Sequence, residues 1–492
     1  MSQPRAGALD TGEFDLGPAQ AAPPEPRIVP LVATLILVSL LGALEVTIVG
    51  SSLATLTEDL GGAAAIAWVM TAYVLAATVS TPVLGQLGDI HGRRPVFLAA
   101  LVLFVLGTAL CGVAPSLGVL IGARLLQGVG SAGTSLLSQT ILADVLPPRR
   151  RPLVMSLLAS VFAVAAVVGP LVGGVLTDTV GWRWGFLGIV PLGAVALVAS
   201  LRVIPRGMRS PGTGFDTAGA VLLGIVLTAF ILMLTAGPTA GWTSPPVAAL
   251  AAVSLVAGAV LVRQEGRVAH PVLPLRLLRD RIVVGALVLA VVHGGGLLAV
   301  IGYLPAYTQL HYGTSATVAG AVPLALVVGL LISSNGAGAL ISRSGVYKIY
   351  PVAGSALAAV VLAALAATLP SLSLVGLCAG LLLLGLGAGS FMHLPVVIVQ
   401  NEAARDEVGV ATSAVTLVRQ AASAVGVAAI GAVIAAALLA AGGEPELGQA
   451  YTGAMVPVLA ALAVVFGIGC AVSAATPAVV LRRGHAPEAA DA

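Results

Sequence analysis

Apolar residues in this chain fall in long runs, without the alternating or three-to-four-residue spacing of half-buried strands and helices. Charge, Gly or Pro interrupts them at intervals. Fourteen runs result, at 28–54, 64–87, 95–113, 117–143, 152–177, 184–201, 217–235, 245–262, 282–305, 315–341, 349–369, 371–399, 407–440 and 453–477. Each is close to or above the roughly 20 apolar residues with which a helix crosses a bilayer. The pattern predicts an all-α polytopic membrane protein with fourteen transmembrane helices. The first run is too long for a signal-peptide core and continues into polar residues within the span, so it reads as a retained helix. Residues 1–27, with Pro23, Pro24, Pro26 and several acids, read as a disordered N-terminal tail. Residues 478–492 read as a second tail.

Basic residues orient the runs. With the first tail placed inside, 20 of the 23 Lys and Arg fall on inward segments, Arg183 alone falls on an outward loop, and Arg124 and Arg419 lie within spans. Basic residues gather on the cytoplasmic side of membrane proteins. The expectation is an even span count with both termini cytoplasmic.

Composition narrows the function classes. Hydrophobic residues make up 58% of the 492 and charged residues 9%, against about 25% charged in soluble domains. The net charge is +3, and the basic residues are scattered singly, which gives no nucleic-acid footprint. Cys111, Cys378 and Cys470 lie in apolar runs without metal-ligand spacing and read as packing residues. No G-x-x-x-x-G-K-[ST] phosphate loop and no H-E-x-x-H occurs, which argues against a primary pump and against an intramembrane metalloenzyme. The expectation is a protein that is not an enzyme and needs no metal or cofactor. Gly128 to Gly133 matches G-x-G-x-x-G but lies inside an apolar helix with no preceding strand. It reads as a packing seam, not a nucleotide site.

A weak repeat is visible. Gly85-Gln-Leu-Gly-Asp-Ile-His-Gly-Arg-Arg94 links the second and third runs, and Gly338-Ala-Leu-Ile-Ser-Arg-Ser-Gly345 links the tenth and eleventh. If the seventh and eighth runs are an inserted hairpin, each stretch occupies the same place in a six-helix half. Two such halves around a central cavity is a parallel-repeat transporter arrangement. The division is a bundle over 28–201, a linker and hairpin over 202–263, and a bundle over 264–477.

Four stretches carry a family resemblance that extends from about residue 28 to 480. Gly85 to Arg94 resembles the loop motif G-x-x-x-D-[RK]-x-G-R-[RK], Arg124 to Gly130 a fourth-span motif, Ala165 to Gly174 the antiporter motif G-x-x-x-G-P-x-x-G-G, and Leu44 to Val49 the first-span motif L-D-x-T-I-V. The chain resembles the major facilitator superfamily, and within it the fourteen-span drug:proton antiporters that include quaternary-ammonium efflux pumps. Three positions depart from the motifs: Glu45 stands for Asp, Ile90 for a basic residue and Ala165 for Gly. The thirteenth span also lacks the carboxylate found in some polyspecific members. The resemblance implies a bacterial cytoplasmic (inner) membrane protein, acting as a monomer, that exports an amphipathic small molecule in exchange for protons by alternating access. It implies no cofactor, the proton gradient supplying the drive. An exporter of a lipid or an endogenous metabolite on the same fold is the alternative. An uptake symporter shares the fold, and the antiporter-type fifth span argues against it.

Individual residues sharpen this. Glu45 is the acid deep inside a predicted span. Charge at mid-bilayer costs roughly 2.5–3.5 kcal/mol on insertion scales, so such acids mark proton or substrate sites. Glu45 and Arg124 lie nine and eight residues from the outer ends of their runs. At 1.5 Å per residue both are about 12–14 Å deep and can couple, with the Arg aiding proton release. The competing reading is a static buried pair. For the loop, the resemblance implies that Asp89 clamps a closed gate by pairing with a helix end or an Arg, with Gly85, Gly88, Gly92, Arg93 and Arg94 forming the rest of the motif. Gly169, Pro170, Gly173 and Gly174 read as a packing seam on a pliable helix. Tyr73, Gln127, His293, Tyr303, Phe391, Met392 and Arg419 are candidates to line a substrate cavity. For any one of the aromatic and His side chains, core packing is the stronger reading. Arg419, near the middle of its span, suits either backbone carbonyls or an anionic substrate group.

Overall fold

A computed structural model describes residues 28–60, 67–205, 214–268, 271–272, 278–403, 407–440 and 447–477. The N-terminal tail read as disordered and the second tail, 478–492, both lie outside these residues. The described residues form helices and no strand. In chain order the helices are α1 (Ile28–Leu60), α2 (Ala67–His91), α3 (Arg93–Gly112), α4 (Leu117–Val145), α5 (Arg151–Thr179), α6 (Arg183–Leu187), α7 (Ile189–Val203), α8 (Thr217–Ala240), α9 (Pro245–Glu265), α10 (Arg281–Tyr312), α11 (Ala316–Ala321), α12 (Pro323–Ser344), α13 (Ile349–Thr368), α14 (Leu374–Gly389), α15 (Leu394–Glu402), α16 (Val408–Ala440) and α17 (Leu447–Ala475).

Local chemistry sets the ends. Ser116, Asp216, Asp280, Ser315 and Ser373 cap α4, α8, α10, α11 and α14 by accepting from first-turn amides. Gly92, at φ 92°, separates α2 from α3 in a conformation that glycine adopts without a Cβ clash. Each of the fourteen apolar runs falls on one helix or on two in tandem. Three runs read as continuous are broken: 184–201 into α6 and α7, 315–341 into α11 and α12, and 371–399 into α14 and α15. Pro323 and Pro395, in the first turns of α12 and α15, supply no amide to bond back into the preceding turn. Gly188, a poor helix former, sits at the α6–α7 junction.

Among the described residues, eleven helical stretches are long and apolar enough to cross a membrane, with shorter apolar stretches on α5 and α10. The α4 helix, diluted by Arg124, Gln127 and its glycines, is not one of them. Large apolar side chains face outward on many helices, among them Val102, Leu106 and Leu110 of α3, Leu255 and Val256 of α9, and Val464 and Ile468 of α17. Faces of this kind suit lipid.

The helix pairings repeat. In the first half α1 packs on α5 and α7, and α4 packs on α2 and α3, with α3 also touching α7. In the second half α10 packs on α16 and α17, and α14 packs on α12 and α13, with α13 also touching α17. The two sets correspond one to one. Across the halves α5 meets α12 and α16 meets α2, a reciprocal exchange of equivalent helices. The α8–α9 hairpin rests on α2 and α16 through Leu223, Leu227, Leu261, Val79 and Leu417.

Candidate functional site

Two polar clusters stand out against this apolar background. The first is built around α1 and α4. Arg124 and Glu45 are both fully buried and form an ion pair through Nη1 and Oε1. The same guanidinium donates to Gln127 Oε1 at 2.7 Å and, through Nε, to the Val69 carbonyl at 3.0 Å. Its flat face lies 4.4 Å from the centre of the Tyr73 ring, a cation–π contact. Gln127 Nε2 donates to Thr108 Oγ1 at 2.8 Å, and the Tyr73 hydroxyl bonds Ser131 Oγ at 2.6 Å. Four expected residues, Glu45, Tyr73, Arg124 and Gln127, are thus one network. Gln127 is fully buried and acts as a spacer between Arg124 and α3. Thr108 and Ser131 were not anticipated; a hydroxyl inside an apolar run is a weak signal without knowledge of which helix faces it. Glu45 Oε2 is buried and has no hydrogen-bond partner among the described residues. The carboxylate therefore keeps one oxygen free for a proton while the other holds Arg124.

The second cluster joins the halves at the end that carries the Gly85–Arg94 motif. Asp89 accepts from Gly409 N at 3.2 Å and Val410 N at 3.0 Å, the first free amides of α16. A carboxylate at a helix N-terminus satisfies unpaired donors and meets the positive end of the helix dipole. Arg93 donates to Asp89 at 3.3 Å and to the Thr140 carbonyl at 2.8 Å, and pairs with Asp144. Arg94 reaches the Leu201 carbonyl of α7 at 2.6 Å. Gly85 lets α2 approach α16, since a Cβ there would lie 3.0 Å from the Gly409 carbonyl and from Ser413. Gly88 faces Leu137 of α4 with a Cβ position only 2.7 Å away.

Sequence reasoning missed the rest of this seam. Arg151 donates to the Ala143 and Leu146 carbonyls and, across the halves, to the Gln400 carbonyl at 3.4 Å. Gln400 returns a bond to the Gln139 carbonyl at 3.4 Å. Asn335 of α12 donates to Ser160 of α5 at 2.7 Å. Arg151 had registered only as a topology charge, because nothing local shows that its partner is 249 residues away.

Other expected residues are dispersed. Gly169 sits directly against Thr47 of α1 with no space for a side chain, whereas Gly174 has open space around it and Gly173 is buried. The seam reading thus fits Gly169 and not Gly174. The side chain of Pro170 lies outside the described residues. Tyr303 bonds the Val427 carbonyl at 3.2 Å and ties α10 to α16. Phe391 is fully buried, with His293 and Phe466 against its ring. It packs in the core. Met392 and Arg419 are partly exposed.

At the opposite end of the molecule Asp59 accepts from Arg183 at 2.6 Å and Trp182 at 3.0 Å. The Arg183 bond, followed by that from Trp182, holds the Asp59 carboxyl below its ordinary range. The lone outward Arg of the sequence is therefore a pin between α1 and α6.

Comparison with known proteins assigns the family. The profile of the Major Facilitator Superfamily matches residues 35–427. An uncharacterized MFS-type transporter of Mycobacterium tuberculosis strain H37Rv is 37% identical over 427 residues, covering 85% of this chain and 60% of that protein. Multidrug resistance protein 3 of Bacillus subtilis strain 168 is 32% identical over 306 residues, covering 62% of this chain and 60% of its own length. This chain thus spans about 60% of the length of these two relatives. Among solved structures, the human organic anion transporter MFSD10 (TETRAN) superposes with a TM-score of 0.65 at 17% identity, covering 92% of this chain and all of that one. That likeness is one of fold. With the profile spanning both halves of the repeated helix packing, the chain belongs to the Major Facilitator Superfamily.

Proposed function

We propose that this protein is a fourteen-span secondary transporter of the bacterial cytoplasmic membrane that exports amphipathic compounds in exchange for protons. The observation that carries the reading is the buried Glu45–Arg124 pair with its unpartnered Oε2. Proton uptake by Glu45 removes the counter-charge of Arg124, and proton loss restores it. A proton thus changes how α1 and α4 are held together. The Asp89 clamp supplies the second element that alternating access needs, a breakable seam between two six-helix halves. The described contacts between the halves gather at that end, which fits a state closed towards the cytoplasm and open outward. The likeness to Multidrug resistance protein 3 of Bacillus subtilis favours export. Export of a lipid or an endogenous metabolite remains the second reading, since nothing in either cluster selects a substrate.

The test is transport by purified protein in proteoliposomes with pH gradients of either sign. Antiport requires that an amphipathic dye accumulate only on the side from which protons move. Accumulation with the proton flow would make the protein a symporter, and accumulation indifferent to the gradient would remove proton coupling.

A further inference from the structure

We propose that Arg419, flanked by His293 and His393, is a subsite for an anionic oxygen group, such as a carboxylate or sulfonate, on the transported amphiphile. This rests on the transport reading above and adds a substrate class to it.

The argument begins with charge. Two cations lie inside the predicted spans, Arg124 and Arg419. Arg124 is neutralised by Glu45 and further satisfied by Gln127, the Val69 carbonyl and the Tyr73 ring. Arg419 has no ion pair and no hydrogen bond among the described residues, to carboxylate or to backbone carbonyl. A guanidinium carries five donors and keeps its charge, so one without protein acceptors is left for water or an anion to satisfy.

Its direction follows from α16. Thr412, Arg419 and Gly426 recur every seven residues and share one helix face. Thr412 accepts from Gln400 of α15 at 3.1 Å. Gly426 lies against Gly295 of α10 with no room for a side chain, and the Arg419 backbone is similarly apposed to Gly294. Arg419 therefore lies on the face of α16 that packs on α10 and α15, and it is partly exposed. His293, the neighbour of Gly294 in α10, and His393, the residue preceding α15, are both within electrostatic reach of the guanidinium and of each other. His293 is buried, and Nε2 of each ring is buried without a hydrogen-bond partner. With the ring hydrogen on Nε2, each imidazole offers a donor. One forked cation and two neutral donors form a set suited to a planar oxyanion and poorly suited to a quaternary ammonium.

The test is equilibrium binding in phosphatidylcholine nanodiscs, with empty nanodiscs as the blank. The probes are 8-anilinonaphthalene-1-sulfonate and N-phenyl-1-naphthylamine, which share rings and differ in the sulfonate. Arg419→Gln is expected to weaken the sulfonate probe tenfold or more and to leave the neutral probe within twofold. Arg419→Lys retains an intermediate affinity. Equal effects on both probes, or no effect on either, would overturn the proposal. If Arg419→Gln does not fold, His393→Phe carries the test. A several-fold loss confined to the sulfonate probe supports the subsite, and any other pattern rejects it. Adding phosphatidylglycerol separates two sources of the anion: competition in wild type but not in Arg419→Gln assigns the site to a lipid headgroup phosphate, and no competition assigns it to the free amphiphile. Binding without gradient-driven transport would remove proton coupling and leave the subsite standing. Transport with no discrimination between the probes would remove the subsite alone.

Discussion

Asp89→Asn isolates the clamp between the halves. The Asp89 carboxylate accepts from two α16 amides, at 3.2 and 3.0 Å, and from Arg93 at 3.3 Å. Asparagine keeps one acceptor oxygen, so one α16 amide loses its partner, and the negative charge facing the helix N-terminus disappears. A hydrogen bond to a charged group contributes about 1.5–3 kcal/mol, and a charge at a helix terminus about 0.3–1 kcal/mol. Arg93 is still held by Asp144 and the Thr140 carbonyl, so the loss falls on the seam. A total near 3 kcal/mol, at about 1.4 kcal/mol per tenfold, shifts the closed-to-open equilibrium roughly a hundredfold. A seam closed about 99% of the time would become about half open. Spin labels on cysteines at positions 150 and 344, both exposed and on opposite halves, report this as a distance distribution in a Cys-free background. The expected result is a second, longer population in Asp89→Asn and a transport cycle impaired more than substrate binding. An unchanged distribution would refute the clamp, and equal loss of binding and transport would make Asp89 a substrate-site residue.

Four further outcomes are expected. Glu45→Gln should abolish gradient-driven accumulation while exchange without a gradient continues; since one charge crossing 100 mV gains about 2.3 kcal/mol, the quantity lost is a roughly fifty-fold gradient per proton, measured as dye accumulation in matched vesicles. Glu45→Asp should keep partial function. Gly85→Val should push α2 from α16 at an overpacking cost of about 1–3 kcal/mol, seen as the same longer population in the 150–344 distances, and a wild-type distribution would show that the seam is not packed at Gly85. Asp59 has a depressed folded-state value, so its contribution is complete above the ordinary 3.8 and fades as pH falls through the lower folded value; Asp59→Asn should remove that part of the acid limb in thermal unfolding scans across the acid range, by a small amount because the pair is exposed.

Much of the helical framework can be read from the chain, because lipid demands long apolar runs and leaves little choice of secondary structure. The coupling of Glu45 to Arg124 was legible from depth alone: two opposite charges at one level of a bilayer have few other partners. The resemblance implied a helix end or an Arg for Asp89, but which helix it meets was not legible. Sequence places Asp89 in a loop motif, but the donors it meets are backbone amides of Gly409 and Val410, and backbone groups have no sequence signature. The same blindness hid the Arg151–Gln400 link, which depends on how the halves face each other. Gly174 was misjudged because small residues in a helix mark close packing only where a neighbour approaches, and none does there.

The proposed proton exchange is tested most directly by following protons themselves. Purified protein is reconstituted with a pH-sensitive dye in the lumen, and an amphipathic substrate gradient is imposed with no initial pH difference and with the membrane potential clamped. Substrate leaving the lumen should drive protons in, acidifying it in proportion to substrate moved, and Glu45→Gln should move substrate without acidification. Substrate flux in the wild type with no proton movement, or with protons moving in the same direction, would contradict proton-coupled export.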